Sequence, residues 1–217
     1  MTDLQVSQAA RDLCANSHFV DLHLDTFIPH RLWGYDMEHA APVPLLGGKF
    51  FGHSDLRRLH GAGVKGALWS ITTNPFRLAR SRWSTFQENL RRLLGFMEVT
   101  PKIQHVATYA QYMQAKASDA HAGFISVQGA NALSWALQEK LAIPWNLLTS
   151  VTLVHLTTSC IGVSATPSQQ PLFGDRMITA QGQALIEVLD QERVFVDLAH
   201  IHQQAFWRAL EVHQKDR

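Results

Sequence analysis

The sequence contains few cysteines, no excess of either charge and no long hydrophobic run. Its two cysteines, Cys14 and Cys160, are too few for a disulfide framework and are typical of a reduced protein. Lys and Arg number 19 against 18 acidic residues, so the chain lacks the basic character of a nucleic-acid binder. No apolar stretch approaches the ~20 residues that span a bilayer, and the N-terminus lacks the apolar centre of a signal peptide. We therefore expect a cytoplasmic protein with no membrane span and no nucleic-acid partner.

The sequence also lacks repeats, low-complexity tracts and Gly/Ser-rich linkers. Nothing divides its 217 residues, and a domain of about 150 residues is the usual size, so residues 1–217 are expected to form a single domain. Hydrophobic residues make up 46% of the chain, which is enough for a large core and excludes a disordered or fibrous protein. A G-x-G-x-x-G turn is absent from the region of the first predicted strand, which argues against a dinucleotide site.

Short apolar runs alternate with helical patterns along the chain. Apolar side chains recur at helical spacing before Pro101, again after Thr179, and over residues 201–212. Strands that alternate with helices indicate an α/β fold with a parallel sheet, and both an open doubly wound sheet and a (β/α) barrel fit the spacing. The predicted strands are residues 19–26, 64–72, 123–128, 150–157 and 193–198.

Twelve histidines are the most unusual feature of the composition. Most are expected on the surface, but several lie with carboxylates where predicted strands end, and α/β enzymes place their sites at those ends. Asp21, His23 and Asp25 alternate in the first strand and are expected to share one face. His155 lies near the end of the fourth strand, and His200 follows the fifth. Each motif is weak alone, but together these groups predict a shared metal site.

Several segments resemble the membrane (renal) dipeptidase family, which are zinc peptidases on a TIM-type barrel. Residues 21–25, DLHLD, match the family's D-G-H-N-D motif, and residues 153–155, LVH, match its L-T-H motif. Residues 55–70, DLRRLHGAGVKGALWS, match a longer segment that ends in F-W-S. Residues 178–200, ITAQGQALIEVLDQERVFVDLAH, are similar to the helix and strand that lead to the family's D-L-S-H. The resemblance covers nearly the whole chain.

The resemblance implies a fold, an activity and a role for several residues. The fold would be a (β/α) TIM-type barrel, here only its first five strand–helix units. His23 and Asp25 would bind a first zinc ion and His200 a second, while His155 would contact the substrate. A metal-activated water would attack the amide of a dipeptide or similar small substrate.

The sequence departs from the family pattern at Gln128. The family carries a glutamate there that bridges two metals, whereas a glutamine offers one neutral oxygen and is a poor bridge between two dications. We therefore expect weaker metal binding, or one zinc ion instead of two.

The family pattern also continues beyond Arg217, through strands that carry another zinc histidine and a catalytic aspartate. A chain without the C-terminal third of the family pattern would leave strand edges unpaired, which predicts self-association. Three interpretations stay open: a dipeptidase-type metallohydrolase, a non-catalytic relative that holds at most one metal, and a single-metal amidohydrolase acting on a lactone or N-acyl substrate.

A basic loop follows the second predicted strand. It contains Arg77, Arg80 and Arg82, next to Trp83. Such a cluster is usually a solvated surface, but it could also attract a substrate carboxylate.

Overall fold

The computed structural model describes residues 6–38, 54–172 and 174–214, which alternate between strands and helices. No helix in these ranges is long and apolar enough to cross a membrane. The strands are β1 Val20–Leu24, β2 Gly66–Thr72, β3 Ile103–His105, β4 His121–Gln128, β5 Ser150–Thr152 and β6 Phe195–Asp197. The helices are α1 Gln8–Asn16, α2 Phe27–Trp33, α3 Leu56–Gly61, α4 Ala79–Val99, α5 Tyr109–Ala117, α6 Ser134–Gln138, α7 Ala180–Gln191 and α8 Gln203–Gln214.

Contacts group the chain into two compact units, and β2 and β4 each continue from one unit into the other. The first unit comprises Met1–Ser70 and Leu93–Phe124. Its strand order is β1-β2-β4-β3, and the β1–β2 and β3–β4 pairs are parallel. Trp69 of β2 and Ile103 of β3 are buried in its core.

The second unit comprises Ile71–Arg92 and Ile125–Arg217. Within it β4, β5 and β6 pair in that order, and both pairs are parallel. Helix α7 begins where predicted, because the Thr179 hydroxyl accepts a hydrogen bond from the Gly182 backbone N–H and so caps its first turn. The buried side chains of this unit include Phe86, Val127, Val151, Leu185 and Leu189.

The predicted α/β class with a parallel sheet is confirmed, and all five predicted strands are present. Strand β3 was not predicted, because three residues are too few to show an alternating pattern. Strand β5 is shorter than predicted, since it ends at Thr152 and leaves His155 in the loop that follows.

His121, at the start of β4, is a buried histidine inside the first unit. The Trp69 indole N–H lies 3.3 Å from His121 Nε2, so Nε2 accepts this bond, and the Nδ1–H donates to the Val64 carbonyl at 3.2 Å. Burial is the main cause that lowers the pKa of His121 to about 4, and the nearby His60 adds to this effect. His121 is therefore neutral in the folded protein at physiological pH.

The burial of His121 predicts acid sensitivity. The unfolded chain takes up this proton near pH 6.5, whereas the folded state does so only near pH 4. The unfolded state therefore binds more protons between these values, and the free energy of unfolding falls as the pH is lowered through them. At about 1.4 kcal/mol per pKa unit, the loss contributed by His121 is about 3 kcal/mol.

Urea unfolding of the wild type and of His121→Gln between pH 7.5 and 4 measures this contribution. The variant keeps an acceptor for Trp69 but has no proton to gain, so its stability should depend less steeply on pH. Equal slopes for the two proteins would contradict the assignment.

Candidate functional site

His23 and Asp25 lie together at the carboxyl end of β1. His23 Nε2 is 3.2 Å from Asp25 Oδ2, and both side chains are somewhat under half exposed, at 42% and 43%. The other carboxylate oxygen, Asp25 Oδ1, is buried and meets no hydrogen-bond partner among the described residues. A buried oxygen without a donor beside an imidazole is an arrangement that a divalent cation would satisfy.

The pairing of β1 with β2 is irregular at this point. The register shifts between Asp21 and Leu24, and the Asp21 carboxylate accepts a hydrogen bond from the His23 backbone N–H at 2.9 Å. The expectation that Asp21, His23 and Asp25 share one strand face is therefore wrong as a strict alternation, because the strand is irregular at His23 and ends at Leu24 before Asp25. Asp21 instead fixes the backbone of His23.

Gln128, the last residue of β4, is buried and held by its neighbour on β2. The Thr72 hydroxyl donates to Gln128 Oε1 at 2.8 Å. That oxygen is the only atom of the amide suited to bind a metal, and the hydrogen bond uses one of its two lone pairs. Both residues belong to the second unit.

His155 and His200 meet in the second unit. Their ring centroids are 4.9 Å apart in an edge-to-face arrangement. His155 also packs against Gly129, where a Cβ would lie 3.2 Å from His155 Cβ, so the residue after Gln128 is in contact with this histidine pair. The structure thus brings His155 and His200 together and places Gly129, which follows Gln128 in the chain, against His155.

Backbone hydrogen bonds fix the two segments that carry these histidines. The Ser164 hydroxyl donates to the His155 carbonyl at 3.0 Å, and the Ala165 N–H donates to the His200 carbonyl at 2.7 Å. Asp197, at the end of β6, accepts the Thr152 hydroxyl at 2.6 Å. His200 itself has a left-handed backbone, with φ of 63°. These contacts hold the loop after β5 against the loop after β6.

The predicted basic loop is wrong for Arg80 and Arg82, which lie in the first turns of α4. Arg82 has a structural role. Its Nε donates to the Asn131 carbonyl at 3.0 Å, and its Nη1 donates to the Pro75 and Arg77 carbonyls. It therefore joins the loop after β2 to the turn after Gln128, within the second unit. Because backbone carbonyls accept the N–H groups of its guanidinium, Arg82 is less suited to bind a substrate carboxylate.

The described ranges contain no group of three or more His, Cys, Asp or Glu side chains placed to hold a metal ion. What they contain is the His23–Asp25 pair in the first unit and the His155–His200 pair in the second. The convergence of these two groups at one site stays a prediction.

The match to a family model is extensive. Residues 7–215 match the model described as "Membrane dipeptidase (Peptidase family M19)". The chain therefore belongs to the membrane dipeptidase family, as its motifs indicated. A search of curated protein sequences finds no match.

Solved structures of similar fold include peptidases, one of which is described as a member of family M19. Dipeptidase AC, a metallo peptidase, has a TM-score of 0.68 and 19% identity, over 90% of this chain and 61% of that chain. A Rhodobacter sphaeroides metallo peptidase, liganded with a phosphinate mimic of the dipeptide L-Ala-D-Ala, has a TM-score of 0.68 and 18% identity, over 90% and 62%. The probable dipeptidase PvdM of Pseudomonas aeruginosa has a TM-score of 0.76 and 14% identity, over 94% and 52%.

These likenesses confirm the predicted fold, a partial (β/α) barrel of α/β class. The chain spans between 52% and 62% of the length of these three solved chains.

Proposed function

We propose that this chain forms part of a metal-dependent hydrolase that cleaves the amide bond of a dipeptide or a similar small substrate. Membership of the family, shown by the match over residues 7–215, is the observation that carries this proposal. The ligand named for the Rhodobacter sphaeroides relative, a mimic of L-Ala-D-Ala, supports a dipeptide substrate.

His23 and Asp25 are proposed to hold a zinc ion. The donor set, one imidazole and one carboxylate, suits zinc, and Asp25 Oδ1 is a buried oxygen with no donor from the described residues. His23 Nε2 lies 3.2 Å from Asp25 Oδ2, so the two side chains are close enough to bind one ion together. When bound, zinc supplies a Lewis acid that polarises a carbonyl and makes water nucleophilic at neutral pH.

In the second unit, His200 is proposed as a further metal ligand and His155 as the residue that contacts the substrate. The edge-to-face contact with His200 would orient the His155 ring. A neutral imidazole in this position can donate a hydrogen bond to the oxygen of an amide carbonyl as charge develops on it. The Ala165 N–H donates to the His200 carbonyl and so joins the loops after β5 and β6, which would hold the His155 donor in place before substrate arrives.

A second candidate function is a non-catalytic or single-metal relative, and the glutamine at position 128 favours it. Its oxygen already accepts the Thr72 hydroxyl, and an amide brings no charge to balance two dications. One zinc ion, or two bound weakly, is therefore what we propose for this chain, whether it acts on a dipeptide or on a lactone or N-acyl substrate.

Both units expose apolar residues on their terminal strands. Leu22 of β1 is 74% exposed and Phe195 of β6 is 72% exposed. Burial of such surface against another chain is favourable, so self-association stays a prediction.

The proposed function is tested by metal content and hydrolysis measured together. We expect the purified wild-type chain to retain roughly one zinc ion after dialysis. His23→Ala should lose the zinc ion, because the substitution removes the imidazole of the His23–Asp25 pair. His18→Ala, which alters a histidine two residues before β1, is the matched control and should retain the metal.

Hydrolysis of L-Ala-D-Ala by the zinc-loaded chain then separates the candidate functions. Turnover that His23→Ala abolishes and His18→Ala preserves would support the dipeptidase. Zinc retention without turnover of a dipeptide, a lactone or an N-acyl amino acid would favour the non-catalytic relative. A wild-type chain that retains no zinc would contradict the proposed metal site.

A further inference from the structure

Thr26 occupies a helix N-cap position but does not cap the helix. It precedes α2, where a threonine hydroxyl usually accepts a hydrogen bond from the first turn. Here the residue has helical angles, φ −57° and ψ −24°, and makes no side-chain cap. Its buried hydroxyl donates instead to the Ser54 carbonyl at 3.1 Å, 28 residues further along the chain.

The other end of α2 is tied to the same place. Tyr35 follows the helix C-cap, and its hydroxyl donates to Asp55 Oδ2 at 3.4 Å. The Leu56 N–H donates to the Met37 carbonyl at 2.8 Å. Segments on both sides of α2 are therefore held to residues 54–56, at the start of α3.

Asp55 fixes the start of α3 through hydrogen bonds and an ion pair. It is fully buried, its Oδ1 accepts the Arg58 N–H at 2.8 Å as the cap of α3, and Oδ2 pairs with the Arg58 guanidinium. A buried carboxylate that is paired and hydrogen-bonded is costly to displace. We call Thr26, Tyr35, Asp55 and Arg58, with the Ser54 carbonyl, the α2 clasp.

The α2 clasp begins one residue after Asp25. The Asp25 carbonyl accepts the Ile28 N–H at 2.9 Å, so the backbone of Asp25 forms part of the turn that Thr26 anchors. Asp25 Oδ1, in contrast, has no hydrogen-bond partner among the described residues. The side chain of Asp25 is thus positioned through its backbone, with one oxygen left available.

We propose that Thr26 is a positioning residue for the Asp25 carboxylate, and that its hydrogen bond to Ser54 raises the affinity of this site for a divalent cation. The inference rests on the proposed function, which makes Asp25 a metal ligand. Partners outside the ligand set commonly change metal affinity 10–100-fold, because a ligand that is already oriented loses less freedom on binding. No contact between Thr26 and the metal is required.

The experiment titrates the metal-free wild-type chain and its variants with cobalt(II), followed by calorimetry and by the visible absorption of the bound ion. Thr26→Val removes the hydroxyl at nearly constant shape, and Thr26→Ser keeps it. Thr108→Val is the matched control, because it removes a threonine hydroxyl that caps α5 in the same unit. Urea unfolding of each metal-free variant measures stability separately.

We expect Thr26→Val to bind cobalt about 10-fold more weakly with an altered absorption band, and Thr26→Ser to restore both. Thr108→Val should lose stability but keep the wild-type affinity and spectrum. If Thr26→Val does not fold, Tyr35→Phe removes a hydroxyl from the other end of the clasp and should weaken binding in the same direction.

Unchanged affinity and spectrum in a folded Thr26→Val, or equal losses in Thr26→Val and Thr108→Val, would overturn the positioning role alone. Absence of cobalt binding by the wild type would overturn the proposed metal site, and the positioning role with it.

Discussion

Gln128→Glu is expected to raise the metal content of this chain by about one ion and to tighten binding of that ion by at least roughly 100-fold. Gly129 lies against His155, which contacts His200, so a carboxylate at the preceding position 128 would add an anionic donor if the proposed metal site includes these residues. Thr72 can still donate its hydroxyl to one carboxylate oxygen, which leaves the other for the metal.

Zinc titration with calorimetry and thermal unfolding with and without zinc measure this effect. The metal-free variant should be less stable than the wild type, because a negative charge is buried with a single hydroxyl donor and no cation, and zinc should restore its stability. Gln104→Glu on β3 adds the same charge in the first unit and is the control. A Gln128→Glu chain that binds zinc no better than the control would show that position 128 is not a metal position.

Gly182→Ala is expected to lower the free energy of unfolding by about 3 kcal/mol. A Cβ at position 182 would lie 2.1 Å from the Ile161 carbonyl oxygen and 2.6 Å from Ile178 Cγ1. The carbonyl cannot move freely, because it accepts the Thr179 N–H at 3.0 Å. Either the first turn of α7 or the loop before Ile161 must shift, and that loop carries His155.

Gly95→Ala in α4 is the matched control for this prediction. Among the described residues outside its own helix turn, no atom lies within 4 Å of the position that a Cβ would take there, so alanine should stabilise the helix by about 0.5–1 kcal/mol through its higher helix propensity. Urea unfolding of both variants measures whether each substitution raises or lowers the free energy of unfolding. If the Gly182→Ala chain is as stable as the wild type, the first turn of α7 does not pack closely against the Ile161 carbonyl.

The elements that the sequence predicted well are those with a repeating pattern. Apolar spacing before Pro101 predicted α4, and Thr179 predicted the start of α7, since both signals are local. Strand β3 and the early end of β5 were missed, because three-residue strands are defined by their partners and not by their own sequence. Their boundaries depend on pairing with β4 and β6.

The sequence predicted only part of the candidate site, because several of its contacts join residues that are far apart in the chain. His23 and Asp25 are neighbours in sequence, so their proximity followed from the motif, and the resemblance indicated His155 and His200. The irregularity that disturbs the alternation of β1 depends on its pairing with β2. The hydrogen bond from Thr26 to Ser54 joins positions 28 residues apart, and no local pattern signals it.

The hydrogen bond between Thr72 and Gln128 has an evolutionary consequence. A threonine hydroxyl can donate to an amide oxygen or to a carboxylate, so either side chain at position 128 finds a hydrogen-bond donor on β2. Glutamine and glutamate codons differ only in their first base. A single nucleotide substitution could therefore move this lineage between a neutral and an anionic position, without a compensating mutation at position 72.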